Sequence, residues 1–312
     1  MYLTILKILI IFIINFVILK LSIPFFKKFV IDIPSERSTH ITPTPRGGGI
    51  IFSSLTSLFC AINGFYLPIL NLPLSIIGFV DDIMSLPSLI RYLAQLLTAI
   101  ISLKFYCNLT SIYQFNDLTF WIAVFIFTSI INFINFMDGI DGFVTINFLV
   151  FLCPTSLFLK PELVPLIICL VVFLSFNWHP ARIFMGDAGS TFLGSIFACL
   201  IFSTESINSA FYLYLVFFPF FADAITCILR RILLKENIFT PHKLHLYQRL
   251  YQNGFKNNQV IILYSLPTLM LTLLWINKRY MSELLFCLCI FIIGYLFDKY
   301  FAKSIKSVTA NE

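Results

Sequence analysis

Charged side chains are scarce in this chain of 312 residues, and their scarcity limits the fold. Only 12% of the residues are Asp, Glu, Lys or Arg, whereas 59% are hydrophobic and the mean hydropathy is +0.93. Soluble domains carry about twice that charged fraction, so a polytopic membrane protein is predicted instead. The alternating segments of about ten residues that a transmembrane barrel needs are also missing. We therefore predict an all-α membrane helix bundle that forms a single domain over residues 1–312.

Several other patterns are missing as well. The chain has no CxxC motif, no internal repeat and no low-complexity tract. Its cysteines are scattered and lie mostly in apolar runs, which predicts buried free thiols that pack as small hydrophobic groups. They are Cys60, Cys107, Cys153, Cys169, Cys199, Cys227, Cys287 and Cys289. The net charge of +6 is modest, and no nucleic-acid partner is predicted.

Long apolar runs are what the chain has in abundance, and eleven of them predict membrane crossings. They lie near 3–24, 48–64, 66–80, 89–106, 118–135, 143–159, 162–178, 190–204, 209–229, 259–276 and 282–298. The first run has no signal-peptide cleavage pattern and ends in Lys27-Lys28, which predicts a spanning helix. The region 48–80 is the weakest, because its 33 residues must supply two crossings that need about 40.

The distribution of basic residues orients these crossings. With the N-terminus outside, the inner connections are 25–47, 81–88, 136–142, 179–189, 230–258 and the tail from Lys299. Five of the 21 Lys and Arg residues then lie outside and the rest inside, as the positive-inside rule requires. The same alternation predicts that every polar motif, and the C-terminus, lie on the cytoplasmic face.

Carboxylates are costly at membrane depth and rarely accidental, and here they cluster. Asp81 and Asp82 follow an apolar run, and Asp187 stands just before another. Adjacent carboxylates raise each other's proton affinity, so a bound cation or a role as proton acceptor would explain the pair. Helix capping is the alternative for all three residues. Together they predict a divalent metal and a phosphate-bearing substrate.

A second polar cluster has a regular spacing. Asn132, Asn135, Asp138 and Asp141 recur every three residues, which lines one face of a helix end or turn. Packing does not require such a pattern, so a binding role is predicted. Asp223 lies inside a predicted crossing, where it is either a structural hydrogen-bond partner or part of the site.

Two basic connections complete the set of candidate residues. Arg37, His40 and Arg46 can donate hydrogen bonds to phosphate, although a loop that only fixes topology is the alternative. His242 and His245, with Arg249 nearby, lie in a second loop. Zinc needs further ligands and the sequence has no cysteine beside these histidines, so a phosphate or sugar contact is predicted. A solvated basic loop is the alternative there.

Five sequence strings, taken in order along residues 32 to about 254, resemble those of the polyprenyl-phosphate N-acetylhexosamine-1-phosphate transferases. They are PTPRGGG, GFVDD, NFINFMDGIDG, FMGDAGS and HKLHLYQRL. The resemblance implies a bundle of about ten or eleven helices in the bacterial inner membrane, with a cytoplasmic active site. It implies transfer of a sugar-1-phosphate from a UDP-N-acetylhexosamine to undecaprenyl phosphate, with release of UMP. Mg²⁺ is the implied cofactor, with Mn²⁺ as a substitute, and a homodimer is compatible with the family.

The resemblance also implies roles for single residues. Asp81 corresponds to the carboxylate proposed to activate the lipid phosphate, Asp82 is its catalytic neighbour, and Asp187 corresponds to the principal magnesium ligand. The implied substrate-binding residues are Arg46, Asn132, Asn135, Asp138, Asp141, His242, His245 and Arg249.

Two positions depart from the branch that makes the muramyl-pentapeptide lipid. Ser85 stands where that branch usually has lysine, and Leu246 follows His245 where it has a further histidine. Enzymes that start O-antigen or similar surface glycans are the closer resemblance, and transfer of phospho-MurNAc-pentapeptide is the alternative. A transporter or lipid flippase, and an inactive paralogue that binds nucleotide-sugar without turnover, are the alternatives from other classes.

Overall fold

The computed structural model describes residues 2–34, 42–110, 116–237 and 242–305, and these residues are predominantly helical. The helices are α1 (Tyr2–Phe29), α2 (Gly48–Ile62), α3 (Leu67–Met84), α4 (Ser88–Thr110), α5 (Asp117–Phe136), α6 (Phe143–Phe158), α7 (Val164–Asn177), α8 (Gly186–Phe202), α9 (Ile207–Leu215), α10 (Phe218–Leu233), α11 (Leu246–Gln252), α12 (Asn257–Ile276) and α13 (Tyr280–Tyr300). A short 3-10 helix, Pro161–Leu163, precedes α7. The predicted all-α class is confirmed.

A helix stands at each of the eleven predicted crossings. By length and composition, six described helices can cross a membrane: α1, α3, α4, α5, α12 and α13. A seventh crossing results if α9 and α10, which meet at 74°, form one bent span. The other four apolar helices are shorter; α2, with 15 residues, is about 22 Å long against a hydrocarbon core of ~30 Å.

The region 48–80 therefore contains two helices, α2 and α3. One helix is longer than predicted: the predicted crossing ended at residue 80, before Asp81 and Asp82, but α3 does not end there. The helix continues through Asp81 and Asp82 to Met84, and Ser85 ends it in a left-handed conformation with φ of 52°. Both carboxylates thus project from the last turns of a candidate membrane span.

Helix α8 is the centre of the bundle and is buried from Ala188 to Phe202. It is surrounded by α2, α3, α4 and α5. Two of these neighbours approach its first turn through glycine. A Cβ added at Gly78 of α3 would lie 2.7 Å from the backbone nitrogen of Ala188, and one added at Gly49 of α2 would meet the backbone of Gly189. Backbones therefore touch at this end of α8, where no side chain fits between them.

Aromatic side chains fill the core beside α8. Phe217, at the bend between α9 and α10, lies 4.6 Å from Phe197 and 4.9 Å from Phe148, measured between ring centroids. All three are fully buried. Five of the cysteines are also buried free thiols, as predicted, whereas Cys153 is half-buried and Cys289 is exposed. The side chain of Cys107 lies outside the described residues.

Backbone hydrogen bonds tie the first connection to the segment before α8. Strand β1 (Ile31–Asp32) pairs antiparallel with β2 (Thr44–Pro45). The amide of Phe184 donates to the carbonyl of Pro45 at 2.9 Å, and the amide of Gly48 donates back to Phe184 at 3.0 Å. Arg37 and His40 lie outside the described residues.

The buried carboxylate of Asp223 docks α11 against the bundle. Its Oδ1 accepts a hydrogen bond from the Leu246 amide at 2.7 Å, and its Oδ2 accepts from the Tyr247 amide at 3.1 Å. The Tyr264 hydroxyl of α12 donates to the same Oδ2 at 2.7 Å. These bonds satisfy backbone amides at the start of α11 that have no partner within the helix. Of the two predicted roles of Asp223, the structure supports that of a hydrogen-bond partner.

We expect Gly78→Ala to destabilise the protein by about 1–3 kcal/mol, because the added methyl group forces α3 away from α8. The control is Gly294→Ala in α13, where an added Cβ meets nothing within 4 Å. Replacing glycine within a helix there should be neutral or stabilising by up to about 1 kcal/mol. Thermal unfolding in detergent compares the two, and equal midpoints would contradict the close approach.

We expect Asp223→Ala to lower the free energy of unfolding by about 3 kcal/mol, because it leaves buried hydrogen-bond donors without an acceptor. The amides of Leu246 and Tyr247 should then exchange hydrogen faster than in the wild type. The exposed Asp117, at the start of α5, provides the matched control Asp117→Ala, for which a change of less than about 0.5 kcal/mol is expected. Unchanged exchange at α11 in Asp223→Ala would show that other contacts hold this helix.

Candidate active site

A polar cavity of about 230 Å³ lies where the ends of several helices meet. Its lining comes from five of the connections predicted to share one face. The lining residues are Asp32, Arg46, Asp82, Asn135, Asp138, Gly139, Ile140, Asp141, Asn177, Phe184, Gly186, Asp187 and Gln248. Four of the lining carboxylates, those of residues 82, 138, 141 and 187, were singled out from the sequence. The structure therefore brings together motifs that are up to about 200 residues apart in the chain.

Asp187 has a central position in this cavity, in the first turn of α8. Its Oδ1 accepts a hydrogen bond from the Asn135 side chain at 3.1 Å, and its Oδ2 accepts one from Arg91 Nη1 at 3.2 Å. Asn135 also donates to the Ser190 hydroxyl at 2.9 Å. The Asn135 amide thus holds the end of α5 against the start of α8, and the guanidinium of Arg91 holds α4 there. Asp187 is half-buried, so its carboxylate is still reachable from the cavity.

Asp82 lies across the cavity and caps α8. Its Oδ1 accepts a hydrogen bond from the amide of Asp187 at 3.2 Å, and its Oδ2 accepts one from the amide of Ala188 at 3.5 Å. A carboxylate is favoured there by the partial positive charge of the helix N-terminus. The neighbouring Gly186 has a φ of 67°, and a Cβ at that position would overlap the Asp82 carboxylate. Glycine is therefore required beside this contact.

Asp81 is close to the cavity but does not line it. Its Oδ1 accepts the Leu86 amide at 2.6 Å, and its Oδ2 accepts Arg91 Nη1 at 3.1 Å. Because Arg91 also contacts Asp187, one guanidinium bridges two acidic motifs. The sequence analysis used Arg91 only as a topology charge, since a lone arginine near a helix start has no motif to distinguish it. The structure adds it to the candidate residues.

Asp138 and Asp141 lie in the turn between α5 and α6. Burial and the nearby Asp187 carboxylate raise the pKa of Asp138 to about 7. Acidic groups are therefore crowded here, and a bound cation would relieve their repulsion. Asp141 is held by a hydrogen bond of 2.7 Å to His179 Nδ1 and one of 3.0 Å from the amide of Ala181. His179, which the sequence analysis missed, anchors this turn.

Arg46 brings positive charge to the opposite wall of the cavity. Its Nη2 donates to Asp32 Oδ2 at 2.7 Å, and its side chain is 43% exposed, so it can still reach a ligand. Gln248 of α11 lines the cavity as well. The histidine loop therefore contributes to the cavity, although through a residue that the sequence analysis did not select.

Four residues predicted to bind substrate are placed away from the cavity. Asn132 exchanges two hydrogen bonds with Gln95 of α4, at 2.8 and 3.1 Å, because a half-buried amide on this helix face needs a partner. Arg249 is 2% exposed and pairs with Asp298, while it donates to the carbonyls of Leu244 and Lys303. For these two side chains the structure supports a role in holding helices together, and their contact with substrate stays a prediction.

His242 and His245 lie behind the cavity, beside α10. His245 is 3% exposed, its ring centroid lies 6.0 Å from that of Phe136, and its Nδ1 is 3.6 Å from Asp223 Oδ1. Although burial opposes its charge, the contact with Asp223 raises the pKa of His245 to about 9. Burial and the charge of His245 lower the pKa of His242 to about 3. The two imidazoles therefore form a pair that is separate from the acid-lined cavity.

The donor set of the cavity fits a magnesium ion. Its carboxylates and amide oxygens are the hard ligands that Mg²⁺ prefers, and no sulfur or imidazole lines it among the described residues. Arg46 lines the cavity and Arg91 contacts Asp187 beside it, and guanidinium groups suit phosphate. A metal-bound diphosphate, as phosphoryl transfer requires, would find such ligands here.

Comparison with known proteins agrees with this geometry. Residues 64–205 match glycosyl transferase family 4. A probable undecaprenyl-phosphate N-acetylglucosaminyl 1-phosphate transferase of Bacillus subtilis is 28% identical over 83% of this chain and 81% of its own length. An undecaprenyl-phosphate alpha-N-acetylglucosaminyl 1-phosphate transferase of Thermotoga maritima is 26% identical over 81% and 84%.

A third relative is named for the transfer of phospho-MurNAc-pentapeptide. It is a phospho-N-acetylmuramoyl-pentapeptide-transferase of Carboxydothermus hydrogenoformans, 31% identical over 51% of each chain. The matched region includes the acidic motifs of α3, α5 and α8, which form the cavity. The resemblance predicted from the motifs is confirmed: residues 64–205 are similar to glycosyl transferase family 4, and most of the chain is similar to relatives named as polyprenyl-phosphate sugar-1-phosphate transferases.

Proposed function

We propose that this protein transfers an N-acetylhexosamine-1-phosphate from a UDP-sugar to undecaprenyl phosphate and releases UMP. The observation that carries the proposal is the convergence of five motif-bearing segments on one acid-lined cavity. The relatives that cover most of the chain are named for this type of transfer. The positive-inside rule favours the cytoplasmic side of a bacterial inner membrane for the cavity, with a lipid-linked surface glycan as the product.

An apolar groove beside the cavity suits the polyprenyl chain. It has a volume of about 540 Å³ and is lined by Ile18, Leu21, Ser22, Phe25, Phe26, Ile50, Ile51 and Phe79. Phe79 belongs to α3 and precedes the acidic pair by two residues. A lipid tail in this groove would therefore place its phosphate near Asp81 and Asp82.

Asp187, with Asp82 and Asp138 near it, would hold the magnesium ion. When bound, the ion neutralises charge on the diphosphate and orients it for in-line displacement. The residues of the chain have further tasks. Arg46 and Arg91 are placed to bind phosphate oxygens from two sides, and Asn135 orients the Asp187 carboxylate by its hydrogen bond of 3.1 Å.

Asp81 is the candidate for the reacting carboxylate. In one route it accepts the proton of the lipid phosphate, which then attacks the sugar-linked phosphorus of the UDP-sugar. In the other route Asp81 itself attacks that phosphorus, UMP leaves, and the lipid phosphate displaces the carboxylate. Both routes break the bond between the two phosphorus-bearing groups of the donor and form one new phosphate–phosphate bond, so atoms and charge balance.

The alternative substrate is UDP-MurNAc-pentapeptide, because one relative of 31% identity has the corresponding name. Ser85 and Leu246 argue for the hexosamine instead, since they differ from that branch in two motifs. A transporter would place its charges in two matching halves near the bilayer midplane. Here the motifs meet in one cavity, which favours an enzyme.

Metal and lipid dependence of UMP release test the proposal. Purified protein is incubated with undecaprenyl phosphate, Mg²⁺ and a panel of UDP-sugars, with and without EDTA. We expect release from one UDP-N-acetylhexosamine, and its loss without lipid or with EDTA, because the carboxylates cannot hold the diphosphate alone. Release from UDP-MurNAc-pentapeptide only would establish the alternative, and no release from any donor by folded protein would favour the inactive paralogue.

We expect Asp81→Asn and Asp187→Asn each to lower turnover by at least about a hundredfold, because each removes a charge needed at the reacting phosphates. Asp117→Asn is the matched control, since its exposed carboxylate lies at the other end of the helix that carries Asn135. Membrane insertion and thermal unfolding verify that the variants fold. Wild-type turnover in a folded Asp81→Asn or Asp187→Asn variant would remove that residue from the mechanism.

A further inference from the structure

Three metal-binding side chains meet behind the acid-lined cavity. Each of Cys227, His242 and His245 offers one ligand atom, and these atoms all lie within 4.8 Å of one another. Cys227 comes from the last turns of α10, and the histidines come from the loop before α11. No cysteine stands beside the histidines in the sequence, which favoured a phosphate or sugar contact over zinc. The fold supplies one from a helix that ends before the loop.

The hydrogen bonding of these groups is incomplete. Nδ1 of His245 is buried and has no hydrogen-bond partner. Nδ1 of His242 has a long contact of 3.3 Å from the Leu244 amide and lies 4.0 Å from Cys227 Sγ. A buried nitrogen atom without a partner, such as Nδ1 of His245, is costly, and a metal ion that accepts its lone pair removes the cost. The side chains of Cys227 and His245 are 2% and 3% exposed, so water cannot take this role freely.

Asp223 lies beside the cluster of Cys227, His242 and His245 but is not one of its metal-binding residues. Both of its oxygens already accept hydrogen bonds, from two amides of α11 and from Tyr264. It is 3.6 Å from His245 Nδ1, which is close enough to offset the positive charge of an ion bound at the cluster. Groups around the ligands of a zinc site commonly tune the metal in this way.

We propose that Cys227, His242 and His245 bind a zinc ion that holds the histidine loop against α10. One thiolate and two imidazoles are the ligands that Zn²⁺ favours, with a fourth position left for water. Tetrahedral bonds of about 2.0–2.3 Å separate ligand atoms by about 3.5 Å, so the cluster closes with shifts of about 1 Å. Binding releases the thiol proton and the proton of His245, since both ligands must be deprotonated.

The zinc site differs from the proposed magnesium site in its chemistry. Sulfur and imidazole are soft or borderline donors, whereas the cavity offers carboxylate and amide oxygen atoms. The two sites share α11, because His245 precedes this helix and Gln248 on it lines the cavity. Zinc at the cluster therefore fixes the position of one cavity wall without touching substrate.

The test uses the full chain in detergent and reads metal content and spectrum rather than turnover. Protein stripped with EDTA is given ZnCl₂, passed through a desalting column and analysed for zinc by mass spectrometry. We expect about one zinc ion per chain for the wild type, and loss of that ion in Cys227→Ala and in His242→Ala. Co²⁺ in place of zinc should give a thiolate-to-cobalt charge-transfer band, which disappears in Cys227→Ala.

Two control variants separate this site from other metal binding. Cys289→Ala removes an exposed thiol of α13 and should retain zinc and the cobalt band. Asp187→Asn alters the acid-lined cavity and should also retain both, so a failure of the proposed function would not affect this result. Wild-type protein that retains no zinc, or a cobalt spectrum without the thiolate band, overturns the proposal whether or not the variants fold.

Discussion

The contact between the Asp82 carboxylate and the first turn of α8 is the constraint on which the rest of the site depends. Unpaired amides cannot remain in the low-dielectric interior of a membrane protein, and Asp82 satisfies two of them. The approach of α3 is close enough for this only because Gly78 has no side chain. As a result, Asp187 is held at a fixed distance from the acidic end of α3. Asn135 of α5 then donates a hydrogen bond to the Asp187 carboxylate.

Much of this arrangement could be predicted from the sequence. Apolar runs located a helix at each predicted crossing, because hydropathy over about 20 residues is a strong signal. Because successive crossings run in opposite directions, the sequence predicted that five connections share one face of the membrane. The same five connections line the cavity. The break between α9 and α10 was not predicted, although Pro219 marks it: this residue lies in the first turn of α10, where proline lacks the amide that would continue the preceding helix.

Side-chain direction was the part that sequence could not supply. Arg249 lies in the correct motif but faces Asp298, which is 49 residues away in the chain, whereas its neighbour Gln248 faces the cavity. Asn132 has the spacing of the polar face but pairs with Gln95. Arg91 and His179 have no motif at all, and their partners became visible only when α4, α5 and α8 were brought together. Rotating a helix about its axis by a fraction of a turn would point a different side chain into the cavity, and the sequence pattern does not determine that rotation.

The attachment of Arg249 to the segment after α13 has a practical consequence. Helix α13 is mostly exposed, and its C-terminal end is held where Arg249 and Arg230 meet Asp298 and where the Lys303 amide donates a hydrogen bond to the Arg249 carbonyl. Lys303 is thereby fastened to the short helix that carries Gln248. A label or substitution that displaces Lys303 would therefore also disturb a wall of the cavity through α11.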